Sequence, residues 1–182
     1  KTAAVINDPA HLKAARIAAE RSMVLLKNEN SVLPLDRRQI KSIAVLGPLA
    51  DSSRDILGSW VFTVKQAKSV TVLAGLRDKV GQAVRVDYSE GVRMPARLHP
   101  SPFGALDGPQ KPKPPLDDTA EIQRATELAR NADVSVLVLG EEQQMSGELA
   151  SRSTFDLPGR QQELLDAVVA TGRPVIVVLM TA

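Results

Sequence analysis

Apolar residues recur at two different periods along the chain, and the switches between them mark out the elements. Asn7-Asp8-Pro9 reads as a helix start, a polar cap followed by proline where its missing N–H does no harm. Leu12, Ala15, Ala19, Met23 and Leu26 then recur at three- or four-residue spacing and predict a helix ending near Lys27-Asn28, a pair expected to bond the helix end. Ser31 to Leu35 is predicted extended, because the residue before Pro34 avoids the helical region. Ser42 to Leu46 is a short apolar run stopped by Gly47-Pro48, the pattern of a strand buried on both faces. A helix is predicted over 70–80 and an alternating strand over Val84 to Tyr88. Asp118-Thr119 is read as the cap of a helix through Asn131, with Ile122, Ala125, Leu128 and Ala129 on one face. Val134 to Leu139 is a third strand, Arg160 to Thr171 a helix closed by Gly172, and Pro174 to Met180 a fourth strand.

Strands alternating with helices place the chain in the α/β class, as a three-layer α/β/α sandwich with a mostly parallel sheet. Right-handed crossovers distribute the helices over both faces. Strand order is not legible from the pattern. Residues 1–35 read as an entry helix and linker. Residues 92–118 break the rhythm: seven of the twelve prolines fall between Met94 and Pro115, a density that helices and central strands do not tolerate. That stretch is either a plain surface insertion or the border of a ligand site, since it leaves the carboxyl end of a predicted strand. The chain does not begin with Met and stops directly after a strand expected to be buried. Residues 1–182 therefore read as most of one α/β domain of a longer protein.

Composition removes several alternatives. Hydrophobic residues make up 43% and charged residues 24%, which excludes disorder as a description of the whole chain. Net charge is +2 and no extended basic tract occurs, so nucleic acid is not an expected partner. No apolar run is long enough to predict a membrane span. Without cysteine there are no disulfides and no thiolate metal sites, and His11 and His99 lie too far apart for a metal-binding pair on one helix. No metal and no cofactor is expected. Only five aromatic residues occur, three Phe with Tyr88 and Trp60, too few for a stacking platform. The lone Trp60 is thus either a core residue or a single ring presented to a ligand.

Ligands of open parallel sheets bind outside the carboxyl ends of the strands, which selects the loops after Leu46, Tyr88, Leu139 and Met180. The first carries Asp51, Arg54, Asp55 and Trp60; the third carries Glu141, Glu142, Met145, Glu148 and Arg152. No P-loop, no dinucleotide glycine fingerprint and no serine elbow occurs, so phosphate, nicotinamide and serine-esterase chemistries lack their signatures. Carboxylate chemistry remains. A glutamate serves as general acid/base when its surroundings raise its pKa, and glycosidic cleavage needs two carboxyl groups, one protonating the leaving oxygen and one acting at the anomeric carbon. A glutamate on the Gly147 loop can reach a neighbouring pocket, and Arg152 can orient the loop or a carboxylate. Taken alone, the same residues also describe an ordinary polar loop.

Together these segments resemble glycoside hydrolase family 3, specifically the α/β-sandwich domain of bacterial periplasmic β-glucosidases. The resemblance rests on Arg21 to Asn28 with Leu33-Pro34-Leu35; on Ile43 to Asp51 with Arg54-Asp55 and Gly58-Ser59-Trp60; and on Val138 to Glu141, continuing through Met145-Ser146-Gly147-Glu148 to Ser151-Arg152. Leu157-Pro158 with Gln161 and Leu164-Leu165, and Thr171 to Met180, complete it; about 92–118 departs from it. The resemblance implies a flavodoxin-like α/β sandwich in a retaining, exo-acting β-glucosidase of the periplasm or the secreted space. It implies Glu148 as general acid/base, Trp60 and Met145 as substrate-binding residues, and Glu141 and Arg152 as supporting residues. It implies a β-linked glucoside or oligosaccharide as substrate. The nucleophilic aspartate is then expected in a preceding (β/α)8-barrel domain outside these residues, so the isolated chain is expected to be inactive. The rival is a non-catalytic flavodoxin-like domain that only packs on a partner domain and shapes its cleft. Oligomeric state has no signature in the sequence.

Overall fold

The computed structural model describes Val5 and residues 8–61, 69–95, 114–148 and 150–181. The chain divides into two compact units, residues 1–34 and 35–182. The first holds helix α1 (Pro9–Ser22), started by Asp8, whose Oδ1 accepts the Ala10 N–H at 2.8 Å. This helix stops short of the predicted end: Met23 is already extended, and Leu12, Met23 and Leu26 are exposed. Nor does Asn28 close the helix. Its side chain bridges forward, donating to the Leu33 carbonyl at 2.8 Å and accepting the Leu33 N–H at 3.0 Å. Between them, residues 29–31 turn in a short 3-10 segment and Val32 has helical angles, so the predicted extended run does not begin at Ser31, and Leu33-Pro34 is a cis peptide.

The second unit is the α/β domain. Its strands are β1 (Ser42–Leu46), β2 (Arg85–Ser89), β3 (Val134–Gly140) and β4 (Val175–Met180), and every pairing is parallel. Their order is β2-β1-β3-β4. The helices are α2 (Val72–Val80), α3 (Asp118–Arg130) and α4 (Gln161–Val169). From β1 the chain moves one way to β2, then the other way to β3 and β4. Right-handed crossovers consequently put α2 on one face and α3 and α4 on the other. The two cores follow this division. Ala44, Leu46, Leu137 and Leu139 pack with Ile122, Ala125, Ala129, Leu164 and Val168. Ile43, Val45, Val134, Val136 and Val138 pack with Leu73 on the opposite face. Successive strand residues serve opposite faces, which is why β1 and β3 are apolar at nearly every position and wholly buried.

Local chemistry sets the element ends. Thr71 Oγ1 accepts the Ala74 N–H at 3.1 Å and starts α2. Asp117, one residue earlier than predicted, caps α3 by accepting from Thr119 N and Ala120 N; Asp118 Oδ1 instead accepts the Arg93 N–H at 3.0 Å. Strand β4 runs parallel to β3 from Val175 to Met180. Among the described residues it pairs with β3 alone, and Val177 and Leu179 remain 40% and 49% exposed. Of the proline-rich stretch, residues 96–113 lie outside the described residues.

Candidate functional site

The chain reverses direction across the sheet between β1 and β3, and there the loops after these two strands open side by side at their carboxyl ends. The loop after β1 runs through a 3-10 turn at Asp55–Leu57 to Trp60; the loop after β3 runs through another at Gln143–Met145 to Glu148. The two are laced together. Asp55 Oδ1 accepts the Gln143 N–H at 2.7 Å, and Gln143 Nε2 donates to the Gly58 carbonyl at 2.5 Å. Arg54 Nε donates to Gln143 Oε1 at 2.8 Å. On the far side of Asp55, the Ser52 hydroxyl donates to Oδ2 while its oxygen accepts the Asp55 N–H.

Gly147 closes the contact. Its φ is +92°, and a Cβ there would lie 2.9 Å from both Cβ and Oγ of Ser59, so the loop before Glu148 rests directly on the loop before Trp60. Trp60 is 62% exposed and belongs to neither core cluster, so it is not a core residue of the described chain. Glu148 is exposed and makes no hydrogen bond or ion pair among the described residues. Met145 is half-buried at the end of its 3-10 turn, its N–H bonded to the Glu142 carbonyl at 2.9 Å.

Arg152 holds Glu141, not Glu148. Its guanidinium pairs with the Glu141 carboxylate and also donates to the Asp156 carbonyl, pinning the loop's return to its start. Glu141 is anchored in turn by its N–H on the Met180 carbonyl at 2.8 Å. Below the loop sits Gln161, fully buried in the first turn of α4. Its Oε1 accepts the Gly140 N–H at 2.8 Å, and Nε2 donates to the carbonyls of Gly140 and Pro158 at 2.8 and 3.0 Å. Sequence reasoning places Asp55 and Gln161 in the family-like segments without a site role and gives Gln143 no signal, because the partners of Gln143 are more than eighty positions away.

Burial, and then the nearby charges of Glu90, Asp51 and Glu121, push the Tyr88 hydroxyl up to about 12. Among the described residues no group of three or more His, Asp or Glu side chains is arranged to hold a metal ion. No helix there is long and apolar enough to cross a membrane.

A parallel α/β sandwich with a carboxylate-bearing loop pair at its switch point defines the class. The chain belongs to glycosyl hydrolase family 3: the model of that family's C-terminal domain matches residues 23–182. It is 41% identical to a periplasmic beta-glucosidase of Salmonella typhimurium and 36% identical to a beta-xylosidase of Formosa agariphila, in each case over 93% of this chain. The chain spans about a fifth of the length of these curated relatives, 22% and 21%. Its fold is similar to that of a beta-glucosidase involved in saponin metabolism from intestinal bacteria, with a TM-score of 0.79 and 34% identity over 98% of this chain and 26% of that one. It is also similar to the beta-glucosidase of Listeria innocua in complex with gluconolactone, with a TM-score of 0.72 and 31% identity over 96% of this chain and 20% of that one.

Proposed function

We propose that this domain supplies the general acid/base, Glu148, to a retaining, exo-acting β-glycosidase acting on β-linked glucosides or oligosaccharides. Trp60 and Met145 border the sugar pocket, and Glu141 with Arg152 holds the loop in shape. The second carboxylate, a nucleophilic aspartate, comes from a preceding (β/α)8-barrel domain of the same protein, in the periplasm or outside the cell. The observation that carries this reading is the lacing of the two loops at the switch point, one bearing Trp60 and the other Glu148. Glu148 is exposed and free of partners among the described residues, as a group that must exchange protons with a leaving oxygen and a water needs to be.

The chemistry follows from two carboxyl groups. The aspartate attacks the anomeric carbon while Glu148, protonated, gives its proton to the departing aglycone oxygen. Glu148, now a carboxylate, takes a proton from water as that water displaces the aspartate and frees the sugar. Such a retaining pair stands about 5–5.5 Å apart.

In the full-length protein, Glu148→Ala is expected to slow glycosylation by about 10²–10⁴-fold for substrates with poor leaving groups. Aryl glucosides whose leaving groups need no proton should be spared, and azide should restore deglycosylation, giving the β-glycosyl azide. Equal losses for every leaving group and no azide rescue would argue against the acid/base assignment, and unchanged rates throughout would support the non-catalytic packing domain.

A further inference from the structure

Glu148 has no tether of its own among the described residues, so its position depends on what holds its loop. We infer that Asp55 and Gln143 are positioning residues for Glu148, through which the Trp60 loop sets the place of the acid/base group. This rests on the proposed role of Glu148. The geometry is that of a clamp. The Asp55 carboxylate takes the Gln143 N–H on one oxygen and the Ser52 hydroxyl on the other, and a hydrogen bond to an ionised acceptor is about twice as strong as a neutral one. The Gln143 side chain reaches back with both its groups, Nε2 to the Gly58 carbonyl and Oε1 to Arg54 Nε. Four residues beyond Gln143, Gly147 presses on Ser59, so the chain is held on the Trp60 loop at two points before it reaches Glu148.

None of these residues belongs to either core cluster. Their bonds join two loops outside the sheet, so breaking them frees the Glu148 loop while leaving strand packing in place. An error of about 1 Å in a catalytic group can cost roughly 10²-fold in rate. A displaced acid penalises only the substrates that need its proton. The clamp therefore makes a distinctive kinetic claim: its loss should copy the selectivity of losing Glu148 itself. Unfolding of part of the population would lower all rates alike.

The test uses the full-length enzyme and a series of β-glucosides with leaving groups from dinitrophenol to simple alcohols. Asp55→Ala and, separately, Gln143→Met are expected to lower kcat/KM by about 10–100-fold for alkyl glucosides and by less than about threefold for the dinitrophenyl glucoside. Asp55→Asn keeps an oxygen acceptor for the Gln143 N–H and an amide for Ser52, and should return the leaving-group dependence toward that of the unmodified enzyme. A loss equal across the series, or an asparagine variant as selective in its damage as alanine, would overturn the positioning role. Glu148→Ala, run in parallel, separates the two ideas. If it is steep and the Asp55 and Gln143 variants are flat, only the clamp fails; if it is itself flat, the acid/base assignment fails and the clamp with it.

Discussion

Asp133 sits just before β3, at the opposite pole from the loops, and joins the two central strands. Its carboxylate accepts the N–H groups of Lys41 and Ser42 at 2.7 and 2.9 Å and the Ser42 hydroxyl at 3.2 Å. Those backbone bonds, with help from Ser42 and the Arg173 charge, hold its pKa below the ordinary 3.8. A depressed carboxyl stabilises the fold above the unfolded-state value, about 3.9, and that contribution disappears as pH falls through the lower folded-state value. Asp133→Asn should thus lower the melting temperature at neutral pH, with the gap to the unmodified protein narrowing below about pH 4. Thermal melts of both proteins across that range check it; a gap constant with pH would show that ionisation is irrelevant. None of this was legible beforehand. The partners of Asp133 lie more than ninety positions away, and nothing in the local pattern marks an aspartate before a strand as a tie between strands.

Elements were legible to the extent that burial and period agree. Strands β1 and β3 are apolar at nearly every position because each face of the central sheet is covered, and they fall where the apolar runs predict them. Helix α1 shows the converse: its spacing is helical, but the helix ends at Ser22 and Met23 is extended, since apolar periodicity by itself does not fix a helix end. Strand β4, like β1 and β3, falls where its run of valines predicts it, paired in parallel with β3. Helix α4 is joined to β3 by Gln161, a polar residue in a core position. Replacing it with leucine would strand the N–H and carbonyl of Gly140, each buried group costing about 1–3 kcal/mol. Gln161→Leu is therefore expected to destabilise the fold by roughly 2–4 kcal/mol in urea unfolding at unchanged slope. Gln162→Leu, next to it but exposed, should stay within about 0.5 kcal/mol. If both variants match the unmodified midpoint, Gln161 is not the tie described here.

At the scale of the whole molecule, the proposed chemistry needs two carboxyl groups, and this chain brings one. The 182 residues alone are expected to show no turnover of a nitrophenyl β-glucoside, and the full-length protein, assayed alongside, is expected to hydrolyse it. Turnover by the purified chain would require a second carboxylate within it and would displace the two-domain mechanism. The class of fold, the family and the segments that carry its motifs were all readable in the sequence, because hydrophobic period and local motif are written along the chain itself. Strand order was not, since an apolar run is equally content in any interior place in a sheet. Only the tertiary structure, by setting β1 beside β3, decided that the Trp60 and Glu148 loops lie together and that Asp55 meets Gln143. Those meetings depend on residues far apart in sequence becoming neighbours, which packing determines and local pattern does not record.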